Sequence, residues 1–256
     1  MKWCSISEKT LELNVCSCII EDLKRRGVRP AYIEGYTLRY EGVYGLDVTI
    51  KTPPQTQLLS LQFKKPLKCF SLSNGRRYMF PINNNRFFDQ HLLLILHGLA
   101  LRMLGKHPSF FYALPLVCDT LELERKVDIL LRHTVFVNVL DIPFVDFHPC
   151  ELYIFSNSRR RVTFCCSSMK GMKFYTWEEI AEKIREMAIT TKDLQRVAEI
   201  SYEELKDSLV LHLREYVEPD VLENIIEHLE RKRMVQPVTA IALGGEESGM
   251  EGFWKL

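Results

Sequence analysis

No two cysteines of this chain are spaced C-x-x-C, although the 256 residues contain eight of them. Cys4, Cys16, Cys18, Cys69, Cys118, Cys150, Cys165 and Cys166 are scattered, a pattern that argues against a zinc ribbon and for buried thiols in a reducing cytoplasm. Long apolar runs are missing as well. The longest, Leu92 to Leu101, is broken by His97 and Gly98 and is too short to span a bilayer, so no membrane partner is expected. No charged stretch followed by an apolar one opens the sequence, so no secretory signal is expected. Charge of one sign is not in excess: 34 Lys and Arg face 33 Asp and Glu, a formal net charge of +1. A nucleic-acid partner is therefore not announced by the chain as a whole, and only local basic patches could serve one. There is no P-loop, no G-x-S-x-G, no H-E-x-x-H and no internal repeat, which sets aside the chemistries and architectures those patterns mark.

What is present is ordinary globular composition, 46% hydrophobic and 26% charged. The spacing predicts a helix over 7–26, with Ser7 as its N-cap and Gly27 as its stop. Leu11, Val15, Cys16, Ile19, Ile20 and Leu23 form its apolar stripe, and Glu12 falls inside that stripe, with Glu8 beside it. A carboxylate on a buried helix face needs compensation, either from a cation or from a functional role. An aromatic-rich strand is expected over 31–40, and Asn74-Gly75 signals a hairpin. Phe87 to Leu104 reads as a helix apolar nearly all round, hence buried, and Phe110 to Leu116 as a central strand covered on both faces. A helix over 119–131, a strand over 134–140 and a hairpin about Ser156-Asn157-Ser158 follow. Residues 176–233 are charged and helical, with capping boxes at Thr176 and Ser201. Glu203, Glu204 and Asp207 would repel phosphates, so these helices read as a packing or dimerising extension rather than a DNA-reading motif.

The chemistry-bearing pattern lies on two short alternating stretches separated by Pro53-Pro54. In the first, Leu46, Val48 and Ile50 alternate with Asp47, Thr49 and Lys51; in the second, Leu59, Leu61 and Phe63 alternate with Ser60, Gln62 and Lys64. Period-two alternation predicts strands with unlike faces. Paired with their polar faces on one side, they would bring together a carboxylate, an amide oxygen and a lysine. Such oxygens suit Mg²⁺, which keeps waters and takes phosphate oxygens, and a lysine beside it can orient water or bind phosphate.

Asp47 followed by Gln62-Phe63-Lys64 resembles the signature of the PD-(D/E)XK, or restriction-endonuclease-like, nuclease superfamily, in its Q-x-K form. The family's proline is absent, Leu46 standing in its place, and Gln62 removes one negative charge. The expected succession of helix, three strands, helix and strand over residues 7–117 is the αβββαβ core of that superfamily. The resemblance implies an α/β fold with a mixed central sheet, a metal-dependent nuclease activity, with DNA the expected partner, and Mg²⁺ or Mn²⁺ as cofactor. It implies that Asp47, Gln62 and the Phe63 main-chain carbonyl hold the metal, that Lys64 orients or activates water, and that Glu12 is an assisting acid. Lys65, Lys68, Arg76, Arg77, Arg159, Arg160 and Arg161 are candidate phosphate contacts. The expected organisation is an α/β domain over 1–170, a helical extension over 171–234 that could pair two copies of the chain, and a tail over 235–256. Two other readings stay open: a non-catalytic nucleic-acid- or protein-binding module that keeps the same fold, and an unrelated α/β domain carrying the motif by chance.

Overall fold

In a computed structural model, residues 2–36, 46–52, 56–73, 75–82, 90–103, 110–143, 150–156, 161–165, 169–190, 202–214 and 216–232 are described. The strand pair β3 (Val48–Thr52) and β4 (Thr56–Phe63) sits at the heart of a five-stranded mixed sheet. Its order is β2 (Tyr32–Gly35), β3, β4, β7 (Phe110–Pro115) and β8 (Thr134–Asn138). All neighbours are antiparallel except β4 and β7, which run parallel, as a connection through an intervening helix requires. Every residue of β7 is buried, as its unbroken apolar run predicts.

The sheet is covered on both faces. Helix α1 (Glu8–Arg25) lies on one side, opened by the Ser7 hydroxyl accepting from the Thr10 N–H at 3.0 Å and closed by Gly27 at φ +83°. Its Leu11, Val15 and Ile19 meet Val48, Ile50, Leu59, Leu61 and Phe63. Helix α2 (Gln90–Met103) lies on the other side, buried from His91 to Ala100. A Cβ on Gly98 would stand 3.1 Å from the Leu140 side chain, so the missing side chain lets α2 approach that turn.

Beyond α2 lies a second sheet of six antiparallel strands. Its order is β1 (Lys2–Trp3), β5 (Lys68–Leu72), β6 (Gly75–Ile82), β9 (Cys150–Ser156), β10 (Arg161–Cys165) and β11 (Met169–Met172). Tyr78, Phe80, Leu152, Ile154 and Val162 point from it into the core that holds α2. Both hairpins foreseen in the sequence are here, joined by the β6–β9 pairing.

The structure differs from the sequence reading at three places. Leu46 does not share a face with Val48 and Ile50: the chain bends at Asp47 before β3 begins, and Leu46 enters the core on the α2 side. The helix expected over 119–131 is α-helical only as α3 (Thr120–Lys126) and continues as 3₁₀ turns over Val127–His133, with Ile129 at φ −123°, where the β-branched Val127 and Ile129 disfavour regular helix. Cys69 and Cys118 are joined as a disulfide rather than kept as thiols, their Cα atoms 6.6 Å apart, which links β5 to the segment after β7. The helices α4 (Trp177–Thr190), α5 (Tyr202–Leu213) and α6 (Pro219–Lys232) supply core side chains: Trp177, Ile180 and Ile184 join the α1 side, and Leu205, Leu209, Ile225 and Leu229 join the α2 side. Residues 235–256 lie outside the described residues, and among the described ones no helix is long and apolar enough to cross a membrane.

Candidate functional site

The central polar residues of β3 and β4 are not solvated. Thr49, Ser60 and Gln62 are each at most 2% exposed, which is costly unless every polar atom finds a partner. They do so across the strand pair. The Thr49 and Ser60 hydroxyls lie 3.0 Å apart, with the Tyr36 hydroxyl 3.1 Å from Thr49. One step along, Asp47 faces Gln62: Asp47 Oδ2 accepts from Gln62 Nε2 at 2.8 Å and from the Phe63 backbone N–H at 2.6 Å. Gln62 Nε2 also donates to the Phe63 carbonyl at 3.2 Å.

Lys64 stands just past the end of β4, its backbone N–H bonded to the Ala113 carbonyl at 3.1 Å. Its ammonium is buried and donates to Gln90 Oε1 at 2.8 Å. Gln90, the first residue of α2, passes the chain on by donating from Nε2 to Gln62 Oε1 at 2.9 Å. A directional series therefore runs from the Lys64 ammonium through the Gln90 and Gln62 amides to the Asp47 carboxyl. An ammonium can only donate, so its contact with Gln90 fixes both amides in this sense. Turning Gln62 over, so that its oxygen meets Asp47 and Phe63, would require Gln90 to turn as well and Lys64 to leave it.

The electrostatics are set by burial. Desolvation pushes the Asp47 carboxyl up to about 7; the Phe63 N–H and Lys64 pull it down, and Glu8 and Glu12 push it up again. Glu8 and Glu12, the two acids in the N-terminal half of α1, thus act on the site. Glu12 is buried and paired with Lys9 of its own helix at 2.6 Å, which is the compensation a carboxylate on that face needs. Glu8 reaches the strand end directly, accepting from the Lys65 backbone N–H at 2.9 Å. The Cys16 thiol, one turn beyond Glu12, is pushed up to about 12, first by burial and then by Glu12, with Asp47 adding to it. Beneath Gln62, in register with it on β7, Tyr112 has its phenol raised by burial and by Asp47, and its hydroxyl lies 3.1 Å from His91 Nδ1.

Asp47, Gln62, Phe63 and Lys64 are thus gathered in one buried cluster, with Glu12 on the helix that flanks it. The oxygens that converge are Asp47 Oδ2 and the Phe63 carbonyl, both bonded to Gln62 Nε2. These two are the oxygens here that could hold a cation, but Gln62 Nε2 fills the space between them; the Gln62 oxygen, expected as a ligand, instead faces Gln90. Among the described residues no three His, Cys, Asp or Glu side chains gather as a metal-binding group.

The basic residues expected as a rim are dispersed. Lys65 Nζ caps the Ile6 carbonyl at 3.4 Å, and Arg76 is paired with Glu122 at 2.8 Å, a carboxylate that also holds Lys126 and the Cys118 N–H. Lys68 and Arg77 belong to the second sheet, over Trp3 and Phe70. Arg161 opens β10, where its backbone pairs with Phe155, and Arg159 and Arg160 lie outside the described residues.

The sequence reading gave no role to Gln90, the hinge of the hydrogen-bonded series. Its signal was an amide at the start of a largely apolar helix, beside His91. Glu8 was ranked below Glu12, yet it is Glu8 that bonds the strand end. Comparison of the chain with protein-family models, with curated proteins and with solved structures finds no match.

Proposed function

We propose that the chain is a metal-dependent nuclease that hydrolyses phosphodiester bonds, with Mg²⁺ or Mn²⁺ as its cation and DNA as its expected substrate. The observation that carries this reading is the buried series Lys64–Gln90–Gln62–Asp47 ending on two oxygens that converge on one donor. A polar row of this kind costs stability inside a core and is retained at functional sites. The order of elements is compatible with the same reading: α1, the antiparallel β2–β3–β4, α2, and β7 parallel to β4 can be read as the restriction-endonuclease-like succession if the β5–β6 hairpin of the second sheet, which stands between β4 and α2, is taken as an insertion. Asp47 stands at the start of the second of those strands and Gln62-Phe63-Lys64 at the end of the third.

Asp47 and the Phe63 carbonyl would hold the cation, with the Gln62 oxygen joining them once its amide has turned. Bound there, the cation supplies an acidified water and screens phosphate charge. The chain's own residues do the positioning. Lys64, released from Gln90, orients the attacking water or binds a phosphate oxygen as a point charge. Gln90 holds Lys64 in reserve and reads the state of Gln62. Glu8 fixes the Lys65 backbone and, with Glu12, makes the surroundings of Asp47 favourable to a cation.

The test is a panel of linear, nicked, branched and single-stranded DNA and of RNA, with Mg²⁺ or Mn²⁺, for the parent chain and Lys64→Ala. Metal-dependent cleavage lost in the variant is the expected result. Cleavage by Lys64→Ala at the parent rate would refute the site assignment. A second reading, a binding module without catalysis, is favoured by one observation: Asp47, Gln62 and Lys64 are between 2% and 7% exposed and satisfy one another. Silence on every substrate, with no stabilisation by either metal, would select it.

A further inference from the structure

The second sheet has one face in the core and one face turned away from it. On the outer face the register builds two rows. Phe70, Arg77 and Phe155 stand directly opposite one another across β5, β6 and β9. Trp3, Lys68 and Tyr153 share the next row, two residues along, with Met79 between the last two. Residues directly opposite in antiparallel strands share a face, and successive rows on one face are about 7 Å apart. Trp3 is 58% exposed, Lys68, Phe70, Arg77, Tyr153 and Phe155 are half-buried, and Met79 is buried.

Aromatic rings on a core-averted sheet face have a bland explanation, mutual packing, but the charges here need another. The Lys68 ammonium lies 4.4 Å from the centre of the Trp3 ring and has no carboxylate partner among the described residues. The Arg77 guanidinium lies 4.4 Å from Phe70 and within 5.4 and 5.9 Å of Tyr153 and Phe155; among the described residues it too has no carboxylate partner, and its buried Nε has no hydrogen-bond partner. Glu151, one row further along the same face, opposite Pro81, instead accepts from the Tyr153 hydroxyl at 2.5 Å. Two cations without a carboxylate among the described residues are thus set among four ring systems on an antiparallel sheet. Rings and a guanidinium plane offer stacking surfaces to flat, unpaired bases, and the cations offer charge to the phosphates between them.

We propose that this outer face binds single-stranded nucleic acid, its bases stacking on Trp3, Tyr153 and Phe155 and its phosphates meeting Lys68 and Arg77. The surface lies on a different sheet from Asp47 and rests on the nuclease reading only in taking nucleic acid as the partner. A duplex fits it poorly, because its bases are already stacked and its edges face inward from the phosphates.

The experiment is fluorescence anisotropy with labelled oligothymidylate and oligouridylate in EDTA, so that metal chemistry at Asp47 plays no part and a failed cleavage panel leaves the result standing. Binding should quench Trp3. Trp3→Ala, at an exposed position, should weaken it roughly 5- to 150-fold, the range for losing one stacked base. Tyr153→Leu, which keeps the apolar bulk, should weaken it in the same sense, and Lys68→Gln should reduce its salt dependence. The DNA and RNA arms identify which strand is preferred. Equal binding of an abasic oligonucleotide, tighter binding of duplex, no loss in Trp3→Ala, or binding confined to anionic phosphatidylserine vesicles would each overturn the proposal.

Discussion

Replacing Gln62 by Glu tests the hydrogen-bonded series at its most sensitive point. Gln62 Nε2 is a donor 2.8 Å from Asp47 Oδ2 and 3.2 Å from the Phe63 carbonyl. The substitution puts a carboxylate oxygen where that N–H was. Two carboxyl groups so close in a site that is 2–7% exposed cannot both ionise, so one must stay protonated at neutral pH. The Phe63 carbonyl also loses its donor. A lost buried partner costs about 1–3 kcal/mol, and holding a proton on the pair above its ordinary range adds to this as pH rises. At about pH 8 and without metal, we expect a loss of about 2–4 kcal/mol, or roughly 4–16 °C in Tm for a chain of this size. A divalent cation reverses the sign, because the same oxygens become ligands; at a hundred times its Kd the cation returns about 2.7 kcal/mol. The assay is thermal melting of Gln62→Glu and the parent in EDTA and in millimolar Mg²⁺. A variant that melts with the parent in EDTA and gains no more than the parent from Mg²⁺ would refute the assignment of this point as the cation position.

Three further outcomes follow from the same geometry. Asp47 has a folded-state pKa raised to about 7, against about 4 in the unfolded chain, so the unfolded state releases its proton first and stability falls as pH rises from about 4 to about 7, by at most roughly 4 kcal/mol. Asp47→Asn should flatten that part of a metal-free pH–stability profile; an unchanged slope would show that another group titrates. Gln90→Leu strands the Lys64 ammonium and the Gln62 oxygen, and chemical denaturation should register a loss of about 2–4 kcal/mol, whereas a loss under about 1 kcal/mol would mean that water replaces the amide. Gln90→Glu keeps an acceptor for Lys64 but removes the donor to Gln62, so the Gln62 oxygen is free to turn toward Asp47. Its melting temperature should respond to Mg²⁺ more strongly than the parent's, and an equal response would break the link between the two amides.

The elements and their period were legible because they depend on local pattern. The alternation of Val48–Lys51 and Leu59–Gln62, the cap at Ser7 and the unbroken run of β7 each state their environment in consecutive residues. What pairs with what over long separations was not written locally. The β6–β9 register, which joins two hairpins into one sheet and makes the row of Phe70, Arg77 and Phe155, links residues far apart in the chain. Sequence could therefore mark Arg77 as basic but not say that it lies against a phenylalanine in the second sheet, away from the strand that carries Lys64. The site shows the same division. Asp47 and Gln62-x-Lys64 were readable as a motif on two adjacent strands. Their state was not, because it is set by Gln90 on a helix that reaches them only in three dimensions. A glutamine has two faces, and which one it presents is decided by its neighbours' protons. Gln62 turns its nitrogen to Asp47 because Gln90 turns its nitrogen to Gln62, and Gln90 does so because Lys64 can only donate. The charge on one lysine thus fixes the polarity of a site whose residue types alone left it undetermined.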